Sequence, residues 1–292
     1  MFRLVLAAAL TAATLTACTT PEQQKAAARP PVATTGTPTT ATTAPASSTV
    51  VEAPSPPAPA APPWVVGATP LPLRPDGFGQ VLPTPPVLAD RALPTRDLLP
   101  PPTGGEYAAT VAPVPADVLA RSTWSAACPV GRDELRYLTM SFWGFDGRPH
   151  TGEMIVNASA AAGVARVFGE LHAARFPIEE MRVTAPAELD LAPTGDGNNT
   201  GAFVCRKGTG LSSWSAHAYG LAVDVNPFCN PYVKGDLVLP ELASSYVDRS
   251  WKRPGMVLAG DTAVRAFAAI GWSWGGEWTS PLDIQHFSAL DR

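Results

Sequence analysis

Four residues carry most of the chemistry that this chain can do. His217 and Asp224 lie seven residues apart in Ser215-Ala216-His217-Ala218-Tyr219-Gly220-Leu221-Ala222-Val223-Asp224-Val225-Asn226, and Asp283 and His286 lie three apart in Asp283-Ile284-Gln285-His286-Phe287. Two imidazoles and one carboxylate, His217, His286 and Asp224, can hold one zinc ion and leave a fourth position open. Zinc there would lower the pKa of a bound water to about 7 and so supply a nucleophile at neutral pH. Asp283 is then free to take that water's proton and return it to a leaving amine. Arg206, just before the motif, can meet a developing oxyanion or a substrate carboxylate. Ser215 lacks the Gly-x-Ser-x-Gly elbow and does not read as a serine nucleophile. Either His/Asp pair alone is a weak signal; the set is a metal-dependent hydrolase's inventory.

The elements that must position these groups lie in the second half of the chain. Of 33 prolines, 21 precede residue 103, which leaves roughly 180 residues for one folded domain. Residues 135–143 and 151–157 read as strands joined around Phe145-Asp146-Gly147-Arg148. Residues 158–175 read as a helix, with Val164, Val167, Phe168 and Leu171 on one face and Asn157 as N-cap. Shorter strands are expected at 178–184, 202–206, 220–225, 272–274 and 285–287. Helices are expected at 115–122 and at 261–270, the latter capped by Asp261 and closed by Gly271. Residues 232–260 read as irregular cover. Strands and helices mix without regular alternation, so the expected class is α+β. His150 and His172 are expected in solvent. Trp272, Trp274 and Trp278 are expected in the core and the pocket wall.

The N-terminal half reads differently. Residues 4–15 are apolar and too few to span a membrane, as in a secretory signal peptide, and Leu15-Thr16-Ala17-Cys18 resembles the bacterial lipobox. That resemblance implies a signal peptide over residues 1–17 and a lipid-modified Cys18. The protein would then be held at the outer face of the cytoplasmic membrane. Residues 18–110 read as a disordered Pro/Ala/Thr-rich linker, although Trp64-Val65-Val66 and Phe78-Gly79-Gln80-Val81-Leu82 are apolar enough to dock on a folded surface. The formal net charge of -4, without a basic run, argues against nucleic acid. With Cys18 lipidated, Cys128, Cys205 and Cys229 remain, an odd number for an oxidising compartment.

Taken together, Trp214 to Pro227, Gly271-Trp272-Ser273-Trp274-Gly275-Gly276-Glu277-Trp278 and Asp283 to Phe287 resemble the zinc D,D-peptidase family. That family includes the VanY-type D-alanyl-D-alanine carboxypeptidases and the L-alanyl-D-glutamate endopeptidases of phage endolysins. The similarity extends over residues 120–290 and takes in Cys128-Pro129-Val130, Phe142-Trp143-Gly144-Phe145-Asp146-Gly147 and Asn199-Thr200-Gly201-Ala202-Phe203. It implies zinc on His217, Asp224 and His286, Asp283 as general base, Arg206 at the oxyanion, and Ser215 beside the metal or substrate. It also implies a small antiparallel sheet flanked by helices in a catalytic domain over residues 111–292. The substrate would be a peptidoglycan stem peptide, acted on by a monomer. The resemblance favours a Cys128–Cys205 disulfide, with Cys205–Cys229 as the alternative. Gly201 stands where the family pattern leads one to expect serine. A wall-binding module that keeps the fold without catalysis is the competing reading.

Overall fold

The computed structural model describes residues 64–209 and 211–290. The expected signal peptide, Cys18 and the first part of the linker lie outside the described residues. The fold is α+β, with antiparallel sheets and few helices. In chain order the helices are α1 (Pro86–Ala89), α2 (Ala116–Arg121), α3 (Ala161–Ala173) and α4 (Thr262–Ala268). The strands are β1 (Ala109–Pro113), β2 (Leu135–Trp143), β3 (Pro149–Asn157), β4 (Glu180–Met181), β5 (Asn199–Thr200) and β6 (Ala222–Asp224), followed by β7 (Tyr232–Lys234), β8 (Leu237–Leu239), β9 (Ser273–Trp274), β10 (Leu282–Asp283) and β11 (His286–Ser288).

The long β2–β3 hairpin is the platform. It pairs in register from Leu135↔Asn157 to Trp143↔Pro149, and β1 adds to its outer edge. Its turn uses Gly147 at φ 73° and the Asp146 carboxylate, which accepts from Arg148 N at 3.0 Å. The face of α3 carrying Val164, Val167, Phe168 and Leu171 packs on this sheet with Leu138, Met140, Met154 and Val156. Asp261 caps α4 by accepting from Val264 N, and Gly271 follows the helix at φ 80°.

Two small three-stranded sheets carry the candidate residues. In one, β11 lies between β6 and β9; in the other, β7 lies between β10 and β8. The register places His286 opposite Asp224 and Asp283 opposite Tyr232. Backbone pairing thus closes the long sequence gap between the two motifs.

Several expectations need correction. Asn157 does not cap α3, which starts at Ala161 after Ala160. Its Oδ1 instead accepts from Ser159 N and Oγ at 3.1 and 2.7 Å, a local turn that outcompetes the helix. Residues 202–206 make single hydrogen bonds to different neighbours, Phe203 N to Ile155 O and Val204 N to His217 O, rather than a strand ladder. The cover at 232–260 contains the β7–β8 hairpin, turned by Gly235-Asp236 with Gly235 at φ 62°. His150 is 2% exposed and bridges Asp97 and Asp146 at 2.8 and 3.1 Å. His172 is buried against the rings of Tyr107 and Trp143.

The largest correction concerns the linker expected to reach residue 110. From Trp64 onward the chain is a strap packed on the domain. Leu71, Leu88 and Leu93 are buried with Phe228, Val238, Leu242 and Tyr246. Arg91 forms a bidentate pair with Glu179, both contacts at 2.6 Å. Proline spacing reads as a loose tether, but apolar residues between the prolines let an extended segment bury side chains without a ladder.

Candidate metal centre

Ser215 starts the site. Its Oγ accepts from His217 N at 3.3 Å and caps a single 3₁₀ turn over Ala216–Tyr219. Gly220 ends that turn at φ 67°, and a Cβ there would come within 2.5 Å of Asn157 N. Only glycine allows the motif to turn so close to the β2–β3 platform. β6 then presents Asp224, and backbone hydrogen bonds in both directions with Gly201 hold it, Asp224 N to Gly201 O at 2.9 Å and Gly201 N to Asp224 O at 3.1 Å.

Three side chains converge. His217 Nε2 lies 3.2 Å from His286 Nδ1 and 3.2 Å from Asp224 Oδ2, and His286 Nδ1 lies 3.0 Å from Asp224 Oδ1. His217 Nδ1 sits 2.6 Å from Ala202 O. A carbonyl only accepts, so Nδ1 carries the proton and Nε2 points its lone pair into the triangle. A lone pair facing a carboxylate and a second imidazole nitrogen calls for a cation or extra protons between them. Tetrahedral zinc with bonds of about 2.0–2.1 Å sets its ligand atoms roughly 3.3–3.4 Å apart. The observed edges are close to that, so the residues fit the ion. Both histidines are buried and Asp224 is half-buried.

The electrostatics separate the two carboxylates. Burial opposes the charge on Asp224, but His217 and His286 outweigh it and hold the carboxyl well below the usual range. Burial also pushes His286 down, and the hydrogen bond and charge of Asp224 more than reverse this, so its pKa is raised. Asp283 is pushed up to about 6, by burial first and then by the nearby Asp224 charge. Its Oδ1 is buried without a hydrogen-bond partner among the described residues. An orphaned carboxylate oxygen is costly in a purely structural role and suits a group kept for a proton or a water.

All four residues line one cleft of about 360 Å³, together with Arg206 and Ser215. Arg206 is half-buried and donates from Nη1 to Lys207 O at 3.1 Å. Its neighbour Cys205 is bonded to Cys128 with Cα atoms 5.8 Å apart, while Cys229 is free and buried, so the alternative pairing is not formed. Trp278 lies against the His286 ring at 5.6 Å and lines the cleft, whereas Trp272 and Trp274 belong to the core.

Two supporting residues escaped the sequence reading. Asn226 is fully buried at φ 43°; it donates to Pro177 O at 2.8 Å and Gly255 O at 3.2 Å, just past Asp224. Gly275 lies against Asp283, where a Cβ would meet Asp283 O at 2.5 Å. The Gly275-Gly276 pair was the available signal for this close approach.

Neither the curated proteins nor the solved structures gave a match. One family model did, over residues 209–289. That stretch contains all three members of the triangle and Asp283, and over it the chain is similar to the family described as D-alanyl-D-alanine carboxypeptidase, which points to a peptidase.

Proposed function

We propose that this chain is a zinc-dependent peptidase of the cell wall that hydrolyses peptidoglycan stem peptides, releasing a terminal D-alanine. The observation that carries the reading is the convergence of His217 Nε2, His286 Nδ1 and Asp224 in one cleft with the orphaned Asp283 carboxylate. The description of the matched family supports the choice of bond. His217, Asp224 and His286 would hold one zinc ion, which supplies a Lewis acid and lowers the pKa of a coordinated water.

Asp283, ionised, takes a proton from the attacking water as the carbon–oxygen bond forms. It gives that proton to the amine as the carbon–nitrogen bond breaks. A pKa near neutrality suits both transfers. Arg206 meets the negative charge of the carbonyl oxygen or of the substrate's terminal carboxylate. Ser215 holds the turn that aims His217 and offers a hydroxyl to the cleft. On this reading Cys18 carries a lipid and residues 19–63 let a monomeric domain reach wall peptides from the outer face of the cytoplasmic membrane.

The test is a digest of purified peptidoglycan by the full-length chain, with and without a chelator, read by mass spectrometry. Chelator-sensitive loss of a terminal D-alanine is expected. Chelator-sensitive cleavage within the stem would replace the carboxypeptidase by an endopeptidase. Zinc bound without any cleavage would sink the peptidase reading in favour of a wall-binding module.

A further inference from the structure

One wall of the cleft is backed by a segment that lies outside the matched family stretch. The sheet β10–β7–β8 carries Asp283 on β10, Tyr232 on β7 and Leu239 on β8, and all three line the cleft. Successive strand residues point to opposite faces. Val238, the neighbour of Leu239, accordingly joins the apolar cluster that contains Leu71 and Leu88. One face of this small sheet therefore looks at the substrate space and the other at the strap.

The strap grips the segment that follows β8 by specific hydrogen bonds. Thr84 Oγ1 donates to Leu242 O at 2.6 Å and accepts from Ser245 N at 2.9 Å. Gly79 N donates to the buried Glu241 Oε1 at 2.8 Å, and a Cβ on Gly79 would sit at that same distance from the same oxygen. At the other end of the hairpin, Arg74 makes two contacts of 3.2 Å with Asp236 in the β7–β8 turn. A three-residue hairpin pairing with a two-residue strand is too small to hold its own position. Its rigidity must come from what lies behind it.

We propose that residues 71–93 brace the catalytic cleft: through Thr84 and Glu241 the strap fixes the β7–β8 hairpin, and through β7–β10 pairing it fixes Asp283 relative to the metal ligands. Thr84 and Glu241 are positioning residues, since neither is in the cleft lining. The inference deepens the peptidase reading and rests on it for its kinetic arm only.

The test compares wild type, Thr84→Val and Thr84→Ser in the full chain by amide hydrogen exchange, zinc content and steady-state kinetics on a D-alanine-terminated stem peptide. Losing the hydroxyl should raise exchange at 232–239 and 282–283 by about fivefold to tenfold. Exchange at 135–157 should stay unchanged. kcat/KM should fall by a similar factor with zinc retained, and Thr84→Ser should restore both. A stability role alone would leave kcat and KM of the folded protein unchanged, and that result overturns the proposal. So does unchanged exchange at 232–239. If Thr84→Val does not fold, Arg74→Ala at the exposed end of the hairpin makes the same comparison, with a smaller expected rise. A wild-type chain that cleaves nothing would sink the peptidase reading, and exchange alone would then decide whether the brace exists.

Discussion

At the scale of single residues, two carboxylates in one cleft are shifted in opposite directions by their surroundings. Asp224 lies between two imidazoles and stays ionised, while Asp283 is half-buried, its buried Oδ1 has no hydrogen-bond partner among the described residues, and its pKa is raised to about 6. Asp283→Asn should abolish turnover and retain zinc, whereas His286→Ala should lose zinc; metal analysis beside an activity assay separates them. A general base must be ionised, so kcat/KM should fall as pH drops below about 6, or lower still with a dication nearby. The stability sign is opposite. An acid whose folded pKa is raised favours the fold while protonated and loses that contribution as pH rises from its unfolded value to about 6. In chelated protein, the melting temperature of Asp283→Asn relative to wild type should therefore rise across that window; a constant difference would show that Asp283 is not so perturbed. Gly275→Ala tests the geometry by itself. A Cβ pressing on Asp283 O from 2.5 Å must shift β10, and a displacement near 1 Å can cost about a hundredfold in rate. Zinc content should not change. The convergence of His217, Asp224 and His286 was legible because their side-chain types announce a possible metal site. Asn226 and Gly275 were not, because their roles lie in backbone approach and hydrogen bonding that only the folded chain displays.

At the scale of elements, the sequence reading succeeds where a pattern repeats and fails where it cannot. β2 is nine residues and α3 is thirteen, long enough for a period of two or 3.6 to declare itself. β5 and β10 are two residues long, no period fits in them, and neither was expected; β6 and β11, expected over 220–225 and 285–287, are three residues each. Their existence follows from tertiary pairing that puts His286 opposite Asp224. The Gly235-Asp236 turn was readable as a two-residue hairpin signal, but the runs beside it are too short to attract notice. The segment leading to Arg206 depends on a covalent tie in place of a ladder. The Cys128–Cys205 bond joins residues 77 apart, and its removal should cost about 2–4 kcal/mol. Cys128→Ser/Cys205→Ser should therefore show a lower denaturant midpoint than wild type, and reductant should bring wild type down to the same value. KM should also rise, since Arg206 loses its anchored neighbour. An unchanged midpoint would mean that the bond does not contribute to the fold in solution.

At the scale of the whole molecule, the domain is larger than its composition suggests. The Pro-rich segment reads as tether because each proline removes a ladder donor. Yet between its prolines the strap places Leu71, Leu88, Arg91 and Leu93, which are buried only because a partner surface exists far along the chain. Such complementarity has no local signature. Arg91 is its most exacting contact: 1% exposed, bidentate to Glu179, and stacked 4.3 Å over the Phe228 ring. Asn198 Nδ2 also donates to Glu179 at 2.9 Å. Arg91→Met keeps much of the apolar stem but strands a buried carboxylate, which should cost about 3–5 kcal/mol. Arg91→Met/Glu179→Leu removes both charges, so it should recover a large part of that loss, because matched apolar groups can replace a buried pair nearly neutrally. Urea denaturation of wild type, single and double variants measures this directly. If strap and domain form one cooperative unit, all three should unfold in a single transition that shifts along the urea axis. A separate early transition confined to residues 64–102, seen by exchange or proteolysis, would instead make the strap an independent element lying on the domain.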